Sequence, residues 1–143
     1  MMPLLYLAAA SADVATASAD LDSLNQAVER CDRNAVNPMF AGEAGRRSQF
    51  LLDAYHEQEA IVADRLSLSE QRRALRLVSD VKATEQKQTQ KQLDLQQADL
   101  DDRQKALNDK RMLEGIREDA MDSLRHFFLL NCPAGGGQDR AKR

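Results

Sequence analysis

The sequence predicts an all-α protein, an elongated antiparallel helical hairpin of coiled-coil type that is preceded by a short N-terminal helix. Residues 46–114 contain no Pro and no Gly and are rich in residues that favour helices. Of the 143 residues, 30% are charged and only 4% are aromatic, a composition typical of long helices and coiled coils. The two cysteines, far apart in the chain, then indicate where it reverses.

The N-terminal residues 1–19 are predicted to be a secretory leader. A short apolar run over residues 4–10 is followed by two small-residue cleavage patterns, which end at Ala12 and at Ala19. Cleavage after Ala19 gives the more usual leader length. No Lys or Arg precedes the apolar run, so the alternative is an N-terminus rich in Ala and Ser that is disordered.

Residues 20–33 are predicted to form a short amphipathic helix that places Cys31 on its apolar stripe. Residues 34–45 are then predicted to be a connector, because a residue before proline resists the helical conformation and Pro38 follows Asn37. Two glycines loosen the same segment, and its apolar residues, Met39 and Phe40, are expected to pack back onto the helices.

The hairpin domain spans residues 20–133, with long helices predicted over 42–80 and 82–131 and a flexible tail over 134–143. In the first long helix, steps of 11 residues predict the packing stripe, which indicates a straight or gently right-handed pairing. This stripe consists of Leu51, Tyr55, Val62, Leu66 and Leu77, and is widened by Ile61, Leu68, Leu75 and Val78. In the second, steps of seven place Leu93, Leu100 and Leu107 on one seam.

Cys31 and Cys132 are predicted to form a disulfide. An even number of cysteines in a chain with an export leader favours a bridge. If the two residues meet, the helices must reverse near residue 81 or 82, beside Ser79 and Asp80, which could cap a new helix. The alternative is a pair of buried free thiols in a cytoplasmic protein.

Catalytic, cofactor-binding and metal sites are not expected. His56 and Glu57 begin a zinc-protease pattern, but Ala60 stands where its second histidine is required. The small basic clusters at Arg46 and at Arg72 are balanced by acids, so no nucleic-acid partner is predicted. No apolar run is long enough to cross a membrane. A run of glutamines between residues 86 and 104 is interpreted as a solvated face, with an adaptable binding surface as the alternative.

These observations predict a non-catalytic periplasmic or secreted protein that binds or scaffolds other proteins. In its size, leader and hairpin arms the chain resembles the periplasmic holdase chaperones with tentacle-like arms, which implies a chaperone-like role. It departs from that family in being acidic and in showing no strands for a trimerising base. The alternative is a structural, parallel coiled coil that oligomerises and never folds back, with a cytoplasmic location. The protein partners and a homo-oligomer are left open.

Overall fold

The computed structural model describes residues 20–78, 82–132 and 134, and within them the fold is helical with no strand. A short helix, α1, covers residues 20–29. Two long helices follow, α2 (Arg33–Leu77) and α3 (Ala83–Asn131), and they pack against each other as an antiparallel hairpin. The predicted fold class is therefore confirmed. The predicted leader, the residues Ser79 and Asp80, and nearly all of the predicted tail lie outside the described residues.

The predicted connector over residues 34–45 is wrong, because α2 already begins at Arg33 and contains Pro38 in its interior. Proline in a helix interior costs about 3 kcal/mol. Burial offsets this cost, since the side chain of Val36 is fully buried and Met39 and Phe40 pack against the same core. The helical spacing of these apolar residues, rather than the local preference around Pro38, decides the structure.

A three-residue corner, residues 30–32, separates α1 from α2, and the first helix ends four residues earlier than predicted. The N–H of Cys31 donates to the carbonyl of Val28 and the N–H of Asp32 donates to that of Ala27, the hydrogen-bond pattern of a Schellman C-cap. Cys31 accordingly has a left-handed backbone with φ of 51°. The Asp32 carboxylate then accepts from the N–H of Ala35 at 3.2 Å and caps the start of α2.

The chain divides into two compact units. The first unit (Met1–Arg46 with Gly115–Arg143) contains α1, the start of α2 and the end of α3. One apolar cluster forms its core, and its buried members are Leu24, Ala27, Val28, Val36, Met121, Phe128 and Cys132. Because α1 contributes three of these residues, it closes the core that the two long helices form in this unit.

The second unit (Arg47–Glu114) contains only α2 and α3. Its two small cores consist of Ala54, Ile61 and Leu107, and of Leu68, Leu93 and Leu100. On both helices the buried positions are seven residues apart. The seam predicted for α3 is therefore confirmed, and the 11-residue stripe predicted for α2 is wrong as a packing seam. The buried residues of α3 repeat every seven positions, so they stay in contact along the helix only with residues of α2 that also repeat every seven positions.

The residues of that 11-residue stripe lie on the solvent side of α2 instead. Leu51, Tyr55, Val62, Leu66 and Leu77 are 54%, 61%, 58%, 62% and 76% exposed. Ile61 and Leu68, which were expected only to widen the stripe, are the residues that face α3. In the second unit α2 thus has two apolar stripes, one buried and one exposed.

Candidate protein-binding surfaces

The structure brings together the two residues of the predicted disulfide. The Cα atoms of Cys31 and Cys132 are 5.5 Å apart, within the normal range for a disulfide, and their sulfur atoms are bonded to each other. Cys132 is buried in the core of the first unit, whereas Cys31 is exposed on the corner between α1 and α2. The Arg33 guanidinium donates a hydrogen bond to the carbonyl of Cys132, which satisfies a backbone acceptor just beyond the end of α3.

Beside this pair, a cluster of two aromatic rings and two guanidinium groups joins α2 to α3. The rings of Phe40 and Phe128 have centroids 6.4 Å apart. Arg33 lies over the ring of Phe128 and Arg125 over that of Phe40, each at 5.1 Å from the centroid. Each helix therefore supplies one ring and one cation, an arrangement that adds to the apolar packing of the first unit.

The first unit also contains an ion-pair cluster that joins α2 to α3. The Glu43 carboxylate accepts hydrogen bonds from Arg117 at 3.1 and 3.2 Å and from Arg46 at 2.6 Å. Burial acts to raise the pKa of Glu43, and the hydrogen bonds from Arg46 and Arg117 act to lower it. The lowering is the larger effect, so the pKa lies below its usual value of 4.5. Because the Arg117 side chain is only 10% exposed, this pair is shielded from water more than a surface salt bridge is.

Polar side chains occupy much of the seam of the second unit. Gln58 and Gln104 exchange hydrogen bonds across the helices at 2.9 and 3.1 Å. Arg103 donates to Glu57 and to Asp64, and these bonds, chiefly the one to Asp64, raise its pKa. Such contacts fix the register of the helices but bury little apolar surface. The seam is therefore thin, with one buried apolar residue per heptad on each helix.

In the second unit, several side chains of the predicted basic and glutamine-rich segments form ion pairs or hydrogen bonds with other side chains of the hairpin. Arg72 pairs with Asp94 at 3.1 Å and Arg65 with Asp101 at 3.0 Å. Gln97 donates to Asp101 on its own helix, as Gln104 does to Asn108. Several of the side chains that a nucleic-acid-binding surface or an adaptable binding surface would use are therefore already paired within the hairpin.

Exposed apolar side chains are the most distinctive feature of the second unit. On α2 they form the stripe from Leu51 to Leu77 already described, which we call the α2 outer stripe. On α3, Leu95, Met112 and Leu113 are 63%, 60% and 45% exposed; we call these three the α3 outer face. Contiguous exposed apolar groups commonly mark interaction sites. The sequence pattern shows both sets, but they can be recognised as outer faces only when the buried seam is known.

The groups that would support chemistry are scattered along the helices. His56 lies beside the ring of Tyr55 and 3.7 Å from Glu59, and its side chain is 62% exposed. Within residues 20–78, 82–132 and 134 there is no group of three or more His, Cys, Asp or Glu side chains placed to hold a metal ion. The same residues include no helix that is both long enough and apolar enough to cross a bilayer.

Comparison of the chain with known protein families, with curated proteins and with solved structures finds no match. A functional assignment must therefore rest on the chemistry of the chain itself.

Proposed function

We propose that this is a non-catalytic helical protein of an oxidising compartment, periplasmic or secreted, that binds or scaffolds other proteins in a chaperone-like manner. The observation that carries the proposal is the balance of apolar surface. Among the described residues, 14 large hydrophobic side chains are exposed, compared with 13 buried hydrophobic residues, and eight of the 14 lie on the α2 outer stripe and the α3 outer face. Large exposed apolar patches commonly mark protein-binding sites, so these outer faces are best explained as protein-binding surfaces.

The geometry of the second unit suits adaptable binding. A hairpin that is held together by few apolar contacts and many polar ones leaves the apolar side chains of its outer faces accessible to a partner. On the α3 outer face, Met112 adds a flexible, polarisable side chain of the kind found at promiscuous binding surfaces.

The cysteine pair supports the location. A bridge between Cys31 and Cys132 closes a loop of about 100 residues, which in the chain-entropy model is worth about 4.7 kcal/mol. Disulfides persist in oxidising compartments and are rare in the cytosol. Together with the predicted leader over residues 1–19, the pair favours export; a cytoplasmic protein with reduced thiols is the alternative.

The proposal is tested by crosslinking the full chain in cells and identifying the proteins captured. We expect Leu95→Glu, which places a charge on the α3 outer face, to reduce capture and to weaken suppression of the aggregation of an unfolded client. Gln96→Glu is the matched control, because it adds the same charge at the adjacent exposed position and removes no apolar side chain. Capture that is unchanged by Leu95→Glu, or absent in the unaltered protein, would contradict the proposal.

The alternative, a parallel coiled coil that never folds back, does not fit the antiparallel hairpin. Self-association through the outer faces is compatible with the hairpin.

A further inference from the structure

We propose that the α2 outer stripe binds a second copy of this chain, with two α2 helices packed antiparallel about a twofold axis near residue 64. The inference begins from the position of the stripe. At 3.6 residues per turn, it lies roughly 120° around α2 from the buried seam. A helix with apolar stripes on two sides is typical of one that has two helical neighbours, and within one hairpin α2 has only α3 in this unit.

The spacing of the stripe is the same in both directions. The stripe has five apolar residues, and its apolar character is interrupted at one position, where Arg73 is exposed. With Arg73 included, successive positions of the stripe are separated by 4, 7, 4, 7 and 4 residues. In an antiparallel pair, Leu51 therefore faces Leu77 of the second copy, and Val62 faces Leu66. The two numbers of each facing pair add to 128. This is the self-complementarity that a twofold interface requires, because residue i contacts j and residue j contacts i.

The charge on the stripe favours the same arrangement. Antiparallel packing places Arg73 opposite Tyr55 of the second copy, where a guanidinium group can lie over the aromatic ring, with Glu59 one turn further along the same helix. Parallel packing in register would instead place Arg73 against Arg73 within the seam, and like charges at such a position repel. The stripe therefore distinguishes between the two directions.

The size of the surface sets the strength of the contact. From Leu51 to Leu77 the stripe is roughly 39 Å long, and a helix contact roughly 10 Å wide gives about 400 Å² on each copy. Patches of this size on monomers are often functional. The two copies together bury about 800 Å², which is in the range of weak, transient complexes. We therefore expect a dimer that forms and dissociates with concentration.

The experiment is sedimentation of the oxidised full chain from low micromolar to near-millimolar concentration. The unaltered protein should pass from monomer to dimer. Leu66→Glu should weaken the dimer by at least about tenfold, because it places a carboxylate against Val62 of the second copy. Leu95→Glu is the matched control: Leu95 is equally exposed, at 63% against 62%, but lies on α3, so the dimer should persist. Arg73→Glu should also weaken the dimer, without removing any apolar side chain.

The direction of packing is tested by the double variant Val62→Lys with Leu66→Glu. In the antiparallel arrangement each lysine faces a glutamate of the second copy, so the double variant should regain the dimer that Leu66→Glu loses. In a parallel arrangement lysine faces lysine, and no recovery is expected. A wild-type chain that is monomeric throughout, a dimer unaffected by Leu66→Glu, or a double variant without recovery would each overturn the proposal.

This inference goes beyond the proposed function and fails separately from it. A monomeric chain that still captures other proteins through the α3 outer face would overturn only the dimer. A dimer that captures no other protein would overturn only the proposed function.

Discussion

Replacing Cys31 by glycine and by alanine tests the corner that closes the first unit. Both variants remove the link to Cys132, and both leave the same free thiol behind. They differ in one respect, because Cys31 has φ of 51°, a left-handed conformation in which a side chain is disfavoured. Glycine adopts this conformation without penalty and is the usual residue at this position of a Schellman cap.

The expected magnitudes follow from this geometry. Loss of the link should cost up to about 4.7 kcal/mol in the free energy of unfolding, the value that the chain-entropy model gives for a loop of about 100 residues. Relief of the left-handed backbone should return about 1 kcal/mol to the glycine variant alone. The exposed side chain of Cys31 leaves no cavity, so packing contributes little to the difference.

The assay is urea unfolding followed by circular dichroism at neutral pH. We expect the oxidised wild-type protein to be the most stable, followed by Cys31→Gly and then by Cys31→Ala. Cys31→Ala that is as stable as Cys31→Gly would refute the left-handed corner. A wild-type protein whose stability does not change on reduction would refute the link itself.

Three further predictions concern the buried seam, Gly115 and the ion pair of Glu43, each measured by chemical denaturation at concentrations where the chain is monomeric. Ile61→Ala should cost about 2–5 kcal/mol because Ile61 is fully buried, whereas Val62→Ala, one residue along and 58% exposed, should change stability by less than about 0.5 kcal/mol; equal effects would contradict the seven-residue seam. Gly115→Ala should stabilise the protein by about 1 kcal/mol, since a Cβ there meets nothing within 4 Å, and destabilisation would indicate an unseen close contact. The ion pair of Glu43 with Arg117 should stabilise the fold fully above pH 4.5, the usual pKa of the carboxyl, and this stabilisation should be lost as the pH falls through the lowered folded value. Glu43→Gln should therefore be less stable at neutral pH and show a flatter acid limb, and an unchanged pH profile would contradict the role of this pair.

The hairpin could be predicted from the sequence because two independent patterns agree. The long segment without breakers excludes a compact globule, and the positions of Cys31 and Cys132 indicate a reversal near residue 81. The structure pairs the two cysteines and ends α2 and begins α3 on either side of that position.

The choice of the packing stripe on α2 could not be made from α2 alone. The stripe from Leu51 to Leu77 contains larger apolar residues than the series Ala54, Ile61 and Leu68, so hydrophobicity favours the wrong face. The signal that identifies the correct one is on the other helix. Leu93 begins a strict seven-residue repeat on α3, and only the α2 series with the same repeat remains in register with it.

The other differences arise from contacts between residues that are distant in the chain. The local conformational preference of the residue before Pro38 predicts a break in the helix. That preference takes no account of the core into which Val36 is buried. The cluster of Phe40 and Phe128 with two arginines depends on residues 88 positions apart, which no local pattern connects.

The central claim, a hairpin joined at Cys31 and Cys132, is tested most directly by peptide mapping of the oxidised protein without reduction. Trypsin should release peptide 31–33 linked to peptide 126–140, since these are the fragments that contain the two cysteines. Protein refolded from an equal mixture of ¹⁴N- and ¹⁵N-labelled chains should give only linked pairs of uniform label, because the link lies within one chain. Unlinked peptides, or pairs of mixed label, would contradict the account.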